Sequence, residues 1–119
     1  MARILVIDDD SIIRETIKAI LKDSNHDIVE AISGEEGLEF FRKEPADLVI
    51  VDLVLPGIGG LDVIKELKAD YPDIRMIAMS GYVPSQLPMA DVLGVNQVFS
   101  KPFDTSKFLW AVQELVRAQ

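Results

Sequence analysis

At 119 residues, with 49% hydrophobic residues and a net charge of −8, the chain is long enough to bury a core and too acidic to present a nucleic-acid surface. It contains no cysteine, which excludes disulfides and thiolate metal sites. No run nears the roughly 18 consecutive apolar residues of a membrane span. Met1-Ala2-Arg3 leads straight into a strand-like run, so no signal peptide is expected and a cytoplasmic location follows by default.

The first apolar run, Ile4-Leu5-Val6-Ile7, predicts a strand covered on both faces. After Asp10-Ser11, the residues Ile13, Ile17, Ile20 and Leu21 recur at helical spacing, and Asp10 suits the cap of that helix. Ile28-Val29 with Ala31-Ile32 is a more mixed run, as an edge strand would be. Ser33-Gly34-Glu35-Glu36 is a capping box, opening a helix that carries Leu38 and Phe41 and ends before Pro45. Leu48-Val49-Ile50-Val51 predicts the third strand, and Leu61, Ile64 and Leu67 mark a helix ended near Tyr71-Pro72. Met76-Ile77-Ala78-Met79 predicts the fourth strand. The helix after it, around Gln86 to Leu93, is the poorest pattern, because Pro84 and Pro88 restrict where it can start. Val95 to Phe99 reads as a weaker fifth strand. Asp104 or Thr105 then caps a final helix with Phe108, Leu109, Val112, Leu115 and Val116 inward. Strand and helix alternate five times across 1–119 with no repeat or linker, so a single α/β domain with a parallel sheet and helices on both faces is expected.

The ends of these strands carry the unusual residues. Asp8 and Asp9 follow the first strand, Asp52 the third, Ser80 the fourth and Lys101 the fifth. Ligands of an open α/β sheet bind at the carboxyl ends of its strands. Each residue has an ordinary explanation alone: a helix cap, a turn, a strand exit. Four such coincidences on one sheet edge are improbable. Carboxylates brought together repel, and relieve it by sharing protons or binding a cation. Hard oxygen donors with room for water favour Mg²⁺. A carboxylate nucleophile, a metal, a lysine and a hydroxyl are the parts of an in-line phosphoryl transfer.

On the motifs Ile4-Leu5-Val6-Ile7-Asp8-Asp9-Asp10, Asp52-Leu53-Val54-Leu55-Pro56-Gly57, Met79-Ser80-Gly81-Tyr82 and Lys101-Pro102-Phe103, the whole chain resembles the receiver domain of two-component response regulators. The resemblance implies a flavodoxin-like (βα)5 three-layer sandwich with strand order 2-1-3-4-5, an order known for the chemotaxis receiver and not read from the residues. It implies that Asp52 accepts the phosphoryl group. Asp9 would ligate Mg²⁺ directly, Asp8 partly through water, and Val54 through its backbone carbonyl. Lys101 would contact the phosphoryl group, with a cis bond to Pro102, and Ser80 would move toward it and draw the following loop along. The implied donor is a sensor histidine kinase or a histidine phosphotransfer protein. The implied output is a downstream effector docking on the fourth helix, fifth strand and fifth helix, where Met89, Val92, Gln97 and Trp110 are candidates.

One departure stands out. The family often has Tyr or Phe three residues before the lysine; here the position is Val98, with Phe99 beside it. Phe99 would substitute only if the strand slipped by one residue, inverting its faces. Val54 and Tyr82, two positions beyond Asp52 and Ser80, offer no obvious positioner of an attacking water, so a long-lived phosphoryl state is expected.

Competing readings are weaker. An aspartyl-phosphate phosphatase wants a second acid two residues beyond the nucleophile, where Val54 stands. A protein that mediates contacts without chemistry would not need the complete acid set. A flavin-binding domain of the same architecture would show a Ser/Thr-rich phosphate loop after the first strand. The chain is therefore expected to act as a switch with autocatalytic phosphoryl acceptance and slow self-dephosphorylation, not as a turnover enzyme. It would work alone, as a phosphotransfer intermediate, or as the receiver of a longer regulator. His26, between the first helix and the edge strand, reads as a solvated turn residue. Gly57, Gly59 and Gly60 lack a dinucleotide or Walker spacing and read as keeping the loop beside Asp52 low and flexible.

Overall fold

Apolar runs alternating with amphipathic ones leave the chain one economical arrangement, and the computed structural model, which describes residues 2–81 and 93–117, has it. Strand β1 (Arg3–Ile7) leads to helix α1 (Ser11–Leu21) and a short 3-10 turn (Lys22–Ser24). Then come β2 (Asp27–Ala31), α2 (Gly34–Lys43), β3 (Leu48–Asp52), α3 (Gly60–Asp70), β4 (Met76–Ser80), β5 (Gln97–Ser100) and a C-terminal helix (Thr105–Arg117). The five strands form one parallel sheet in the order β2-β1-β3-β4-β5. The expected helix around Gln86 to Leu93 lies, but for Leu93, outside the described residues, as do Tyr82, Met89 and Val92.

Burial explains the order. Strands β3 and β4 are buried at every residue and β1 at all but its first, whereas β2 and β5 are only partly covered and sit at the edges. Alternate strand residues feed two cores. Leu5, Ile7, Val49, Val51, Met76 and Ala78 pack with Leu38 and Phe41 of α2 and Val63, Ile64 and Leu67 of α3. Ile4, Val6, Leu48, Ile50, Ile77 and Met79 pack with Ile17 and Leu21 of α1 and Phe108, Ala111 and Val112 of the C-terminal helix. Each of the larger buried side chains contributes about 1.5–3 kcal/mol, which is why the sheet is rigid enough to hold groups at its rim. Leu109, Leu115 and Val116 lie partly buried against the second core, and Trp110 points away, 60% exposed. None of the described helices is long and apolar enough to cross a membrane.

Local chemistry sets the helix starts. Asp10 accepts the Ile12 N–H at 2.9 Å, Ser33 Oγ accepts the Glu36 N–H at 3.1 Å, and Asp104 accepts the Lys107 N–H at 3.0 Å. The Glu36 carboxylate reaches back to the Ile32 N–H, one residue before the cap. The fifth strand starts later than its apolar run. Val95 is buried, but Asn96 exchanges hydrogen bonds with the Met76 backbone before the ladder begins at Gln97. In register, Val98 pairs with Ala78 and Phe99 with Met79. Phe99 packs with Phe103 and Phe108 at ring distances of 6.2 and 5.4 Å, on the opposite face from Val98. The strand has not slipped.

Candidate functional site

The register of the central strands fixes the site. Ile7 pairs with Val51, Asp52 with Met79, and Ser80 with Ser100, so one step further along the chain Asp8 and Lys101 arrive at the same edge as Asp52 and Ser80. Lys101 has its N–H on the Ser80 carbonyl at 2.8 Å and a cis bond to Pro102. Its ammonium lies 2.9 Å from Oδ2 of Asp8 and 2.9 Å from Oδ2 of Asp52. The other oxygens are held by the backbone: Asp8 Oδ1 accepts the Asp10 N–H at 2.9 Å, and Asp52 Oδ1 accepts the Val54 N–H at 3.0 Å.

Asp8 is 0% exposed, Asp52 5% and Ser80 2%, whereas Asp9 is exposed. Burial pushes the Asp8 carboxyl above its ordinary value; the Asp10 N–H and Lys101 oppose this, and the charge of Asp52 adds to it. Burial works against the charge of Lys101 too, yet the hydrogen bonds it donates to Asp52 and Asp8, with the charges of those two acids, outweigh it and raise its pKa. Two buried carboxylates thus share one cation. That is a site short of positive charge.

Asp8, Asp9 and Asp52 each offer a carboxylate oxygen within 4.8 Å of the others, and no other such group of acids or histidines occurs among the described residues. A cleft of about 370 Å³ opens over them, lined by Asp9, Asp10, Asp52, Val54, Gly81 and Lys101. Three hard oxygen donors, two of them lining an open cleft and Asp8 buried beside it, suit Mg²⁺, which keeps part of its water shell. A larger hollow of about 570 Å³ lies elsewhere, at Phe41, Tyr71 and Arg75; its acids Asp47, Asp70 and Asp73 do not converge.

The sequence-based candidates therefore meet: Asp8, Asp9, Asp52 and Lys101 in one cluster, Val54 on its rim, Ser80 at the adjoining strand end. Other participants were not legible. Arg14 donates from Nη1 to the Asp8 carbonyl at 2.7 Å and pairs through Nε with Glu30 at 2.9 Å. Nothing in sequence spacing announces a contact that joins α1, β2 and the β1 exit. Gly60 is required by close approach rather than flexibility, since a Cβ there would collide with the Asp52 carbonyl oxygen and Leu53 Cα. Gly57 holds a φ of +75°, which glycine adopts without cost. His26 is half-buried, not simply solvated: its Nδ1 accepts the Ala2 N–H at 3.0 Å, and burial lowers its pKa.

Comparison with known proteins agrees with this geometry. Residues 4–113 match the family described as the response regulator receiver domain. The chain is 31% identical over 115 residues to sporulation initiation phosphotransferase F of Bacillus subtilis, covering 94% of this chain and 91% of that protein. It is 32% identical over 117 residues to the probable transcriptional regulator ycf27 of Porphyridium aerugineum, covering 97% of this chain and 48% of the relative. It thus spans nearly all of one relative and about half of another. The crystal structure of a response regulator receiver domain protein from Clostridium thermocellum superposes with a TM-score of 0.91 at 29% identity, over 99% of this chain and 96% of that one. Sequence, strand order and family match converge, and the chain belongs to the response regulator receiver domain family of two-component signalling.

Proposed function

We propose that this receiver domain accepts a phosphoryl group on Asp52 and uses the modification as a conformational signal. The observation that carries the reading is the Asp52 carboxylate, buried at the tip of β3, 2.9 Å from the Lys101 ammonium and beside two further acids. Asp8, Asp9, Asp52 and the Val54 carbonyl would hold Mg²⁺. The ion, when bound, supplies positive charge for the phosphoryl oxygens, where charge spreads in the transition state.

The chain's own residues do the rest. An Asp52 oxygen attacks phosphorus, forming the acyl phosphate as the P–N bond of a phosphohistidine breaks and the imidazole leaves with its electron pair. Lys101, shared between Asp8 and Asp52, is free to follow the new negative charge onto the phosphoryl oxygens. Ser80, at the adjoining strand end, supplies a hydroxyl for the same oxygens and links the site to the segment after β4. The donor is a sensor histidine kinase or a histidine phosphotransfer protein. The output partner docks on the side of β5 and the C-terminal helix, where Gln97 and Trp110 are exposed. The chain is a switch rather than a turnover enzyme, since no acid stands at position 54.

The near full-length match to a protein named a phosphotransferase supports a second version, in which the group passes on to another histidine.

The test is incubation with a small phosphodonor and Mg²⁺, comparing wild type with Asp52→Asn. Stoichiometric labelling of the wild type, lost in the variant and in chelator, is expected. Equal labelling of the variant would move the acceptor elsewhere.

A further inference from the structure

Beyond the acids and the lysine, a second charged cluster touches the site from behind. Arg14, at the end of the first turn of α1, has a side chain only 14% exposed. Its Nη1 donates to the Asp8 carbonyl at 2.7 Å and its Nε to Glu30 at 2.9 Å. Lys18, one turn further on, holds the other Glu30 oxygen at 3.1 Å and Glu15 at 2.9 Å. Lys18 first, and Arg14 with it, keeps the Glu30 carboxyl below its ordinary value, so the anchor for the guanidinium stays charged.

The contact matters because of which carbonyl it grips. The Asp8 C=O and the Asp9 N–H belong to one rigid peptide plane. The preceding plane is tied down separately, by the Asp8 N–H on the Ala31 carbonyl at 3.1 Å. Beyond Asp9, the Asp10 N–H is fixed on Asp8 Oδ1 at 2.9 Å. Asp9 is the exposed member of the acid trio and no described residue accepts or donates to its carboxylate. The peptides on either side set the direction in which its Cα–Cβ bond leaves the chain, and Arg14 holds the first of them.

We infer that Arg14, anchored by Glu30 on the edge strand, is a positioning residue that aims the Asp9 carboxylate at the shared ion site by clamping the Asp8–Asp9 peptide. The inference rests on the metal-dependent reading above. Arg14 touches neither the acceptor nor the ion. A planar guanidinium presents its donors to the carbonyl and the carboxylate in a fixed fork, a geometry that a compact ammonium does not reproduce. Removing a partner that orients a metal ligand typically costs about 10–100-fold in affinity.

The test is titration of the full chain with MgCl₂ alone, followed by NMR at the Asp9 amide, for wild type, Arg14→Gln, Arg14→Lys and Glu30→Gln. Labelling rates against Mg²⁺ and thermal unfolding in chelator are measured in parallel. Arg14→Gln is expected to raise the Mg²⁺ Kd about tenfold. The Mg²⁺ concentration for half-maximal labelling should rise by the same factor, while the rate at saturating Mg²⁺ stays within about twofold. Arg14→Lys should fall between the two, and Glu30→Gln, which keeps an acceptor oxygen, should weaken binding less than Arg14→Gln. A folded Arg14→Gln with wild-type Mg²⁺ affinity overturns the inference and leaves Arg14 a brace between α1 and β2. Should that variant not fold, wild-type affinity in both Arg14→Lys and Glu30→Gln overturns it equally. A wild type that neither binds Mg²⁺ nor takes label overturns the proposed function itself, and this inference with it.

Discussion

The Lys101 ammonium and the Asp52 carboxylate meet at 2.9 Å across 49 residues of chain, and the same ammonium lies 2.9 Å from Asp8. One cation therefore serves two nearly buried acids. Replacing it by an apolar side chain of similar length leaves both uncompensated. For Lys101→Met in chelator at neutral pH, we expect a loss of about 2–3 kcal/mol by urea denaturation, below the usual cost of breaking a buried pair because the lysine side chain is 16% exposed. Asp52→Asn should act the other way: with a like charge gone, Lys101 serves Asp8 alone and the urea midpoint rises. Unchanged midpoints in both variants would mean that the three groups are not electrostatically coupled.

The three-acid cluster predicts that Mg²⁺ stabilises the folded chain, because the ligands converge only there. The melting temperature should climb with the logarithm of Mg²⁺ concentration once binding saturates, reaching about 2.7 kcal/mol of stabilisation at a hundredfold excess over Kd. Asp9→Asn and Asp52→Asn should flatten that response. A melting temperature indifferent to Mg²⁺ in calorimetry would remove the metal from the site.

Most of this fold was legible because its signals are local. Ile4 to Ile7, Leu48 to Val51 and Met76 to Met79 are buried on both faces, so each run announces its strand, and Asp10, Ser33 and Asp104 mark helix starts by side-chain chemistry. The site was legible for a related reason: in a parallel sheet the residue after each strand has only one edge to occupy. What stayed hidden depends on contacts between distant segments. Val95 looks like strand and is buried, yet the ladder waits for Gln97 because Asn96 is engaged with Met76. Arg14 resembles any helix cation until β2 brings Glu30 beside it. His26 looks like a turn residue until the Ala2 N–H is found on its ring.

Gly60 and Gly59 are neighbours with opposite expectations. Gly60 opens α3 where alanine favours a helix, but a Cβ would strike the Asp52 carbonyl and Leu53 Cα, both backbone in a packed strand exit. Gly60→Ala should cost about 1–3 kcal/mol despite the better propensity. At Gly59, the helix N-cap with φ −74° and ψ 163°, the nearest atom to a Cβ is 4.0 Å away and no side chain caps the helix. Gly59→Ser should gain a few tenths of a kcal/mol. Denaturation of the two variants side by side checks the pair, and a stabilised Gly60→Ala would contradict the close approach.

His26 gives stability a pH dependence whose sign is fixed. Burial lowers its pKa below 6.5 in the folded chain, and the Nδ1 that accepts the Ala2 N–H must be unprotonated. The unfolded chain therefore binds the proton first as pH falls. The contribution of His26 is present above about pH 6.5 and lost as pH drops through the lower folded value. Stability measured from pH 7.5 to 5 should decline more steeply in wild type than in His26→Asn, whose amide oxygen accepts the same N–H without titrating. Parallel curves would place the pH dependence in the carboxylates instead.

On the proposed reading, the lifetime of an acyl phosphate on Asp52 would turn on Val54. Its N–H is committed to Asp52 Oδ1 at 3.0 Å, while its side chain projects into the cleft mouth, 39% exposed, with no atom able to orient or deprotonate water. Hydrolysis must then proceed with water that no side chain at this position aims. Slow loss of label is expected for wild type once donor and kinase are removed. A carboxamide or carboxylate here restores a hydrogen-bonding partner for that water. A well-placed general base contributes roughly 10²–10⁴-fold, and an unoptimised one should recover only a small share of this, so Val54→Glu should shorten the half-life about tenfold, and Val54→Gln, which can orient water but not deprotonate it, by less. Loss of labelled phosphate at neutral pH with Mg²⁺ present reads it directly. Fast loss from the wild type would show that another group already aims the water, and an unchanged half-life in both variants would place the attacking water on a side of Asp52 that position 54 does not face.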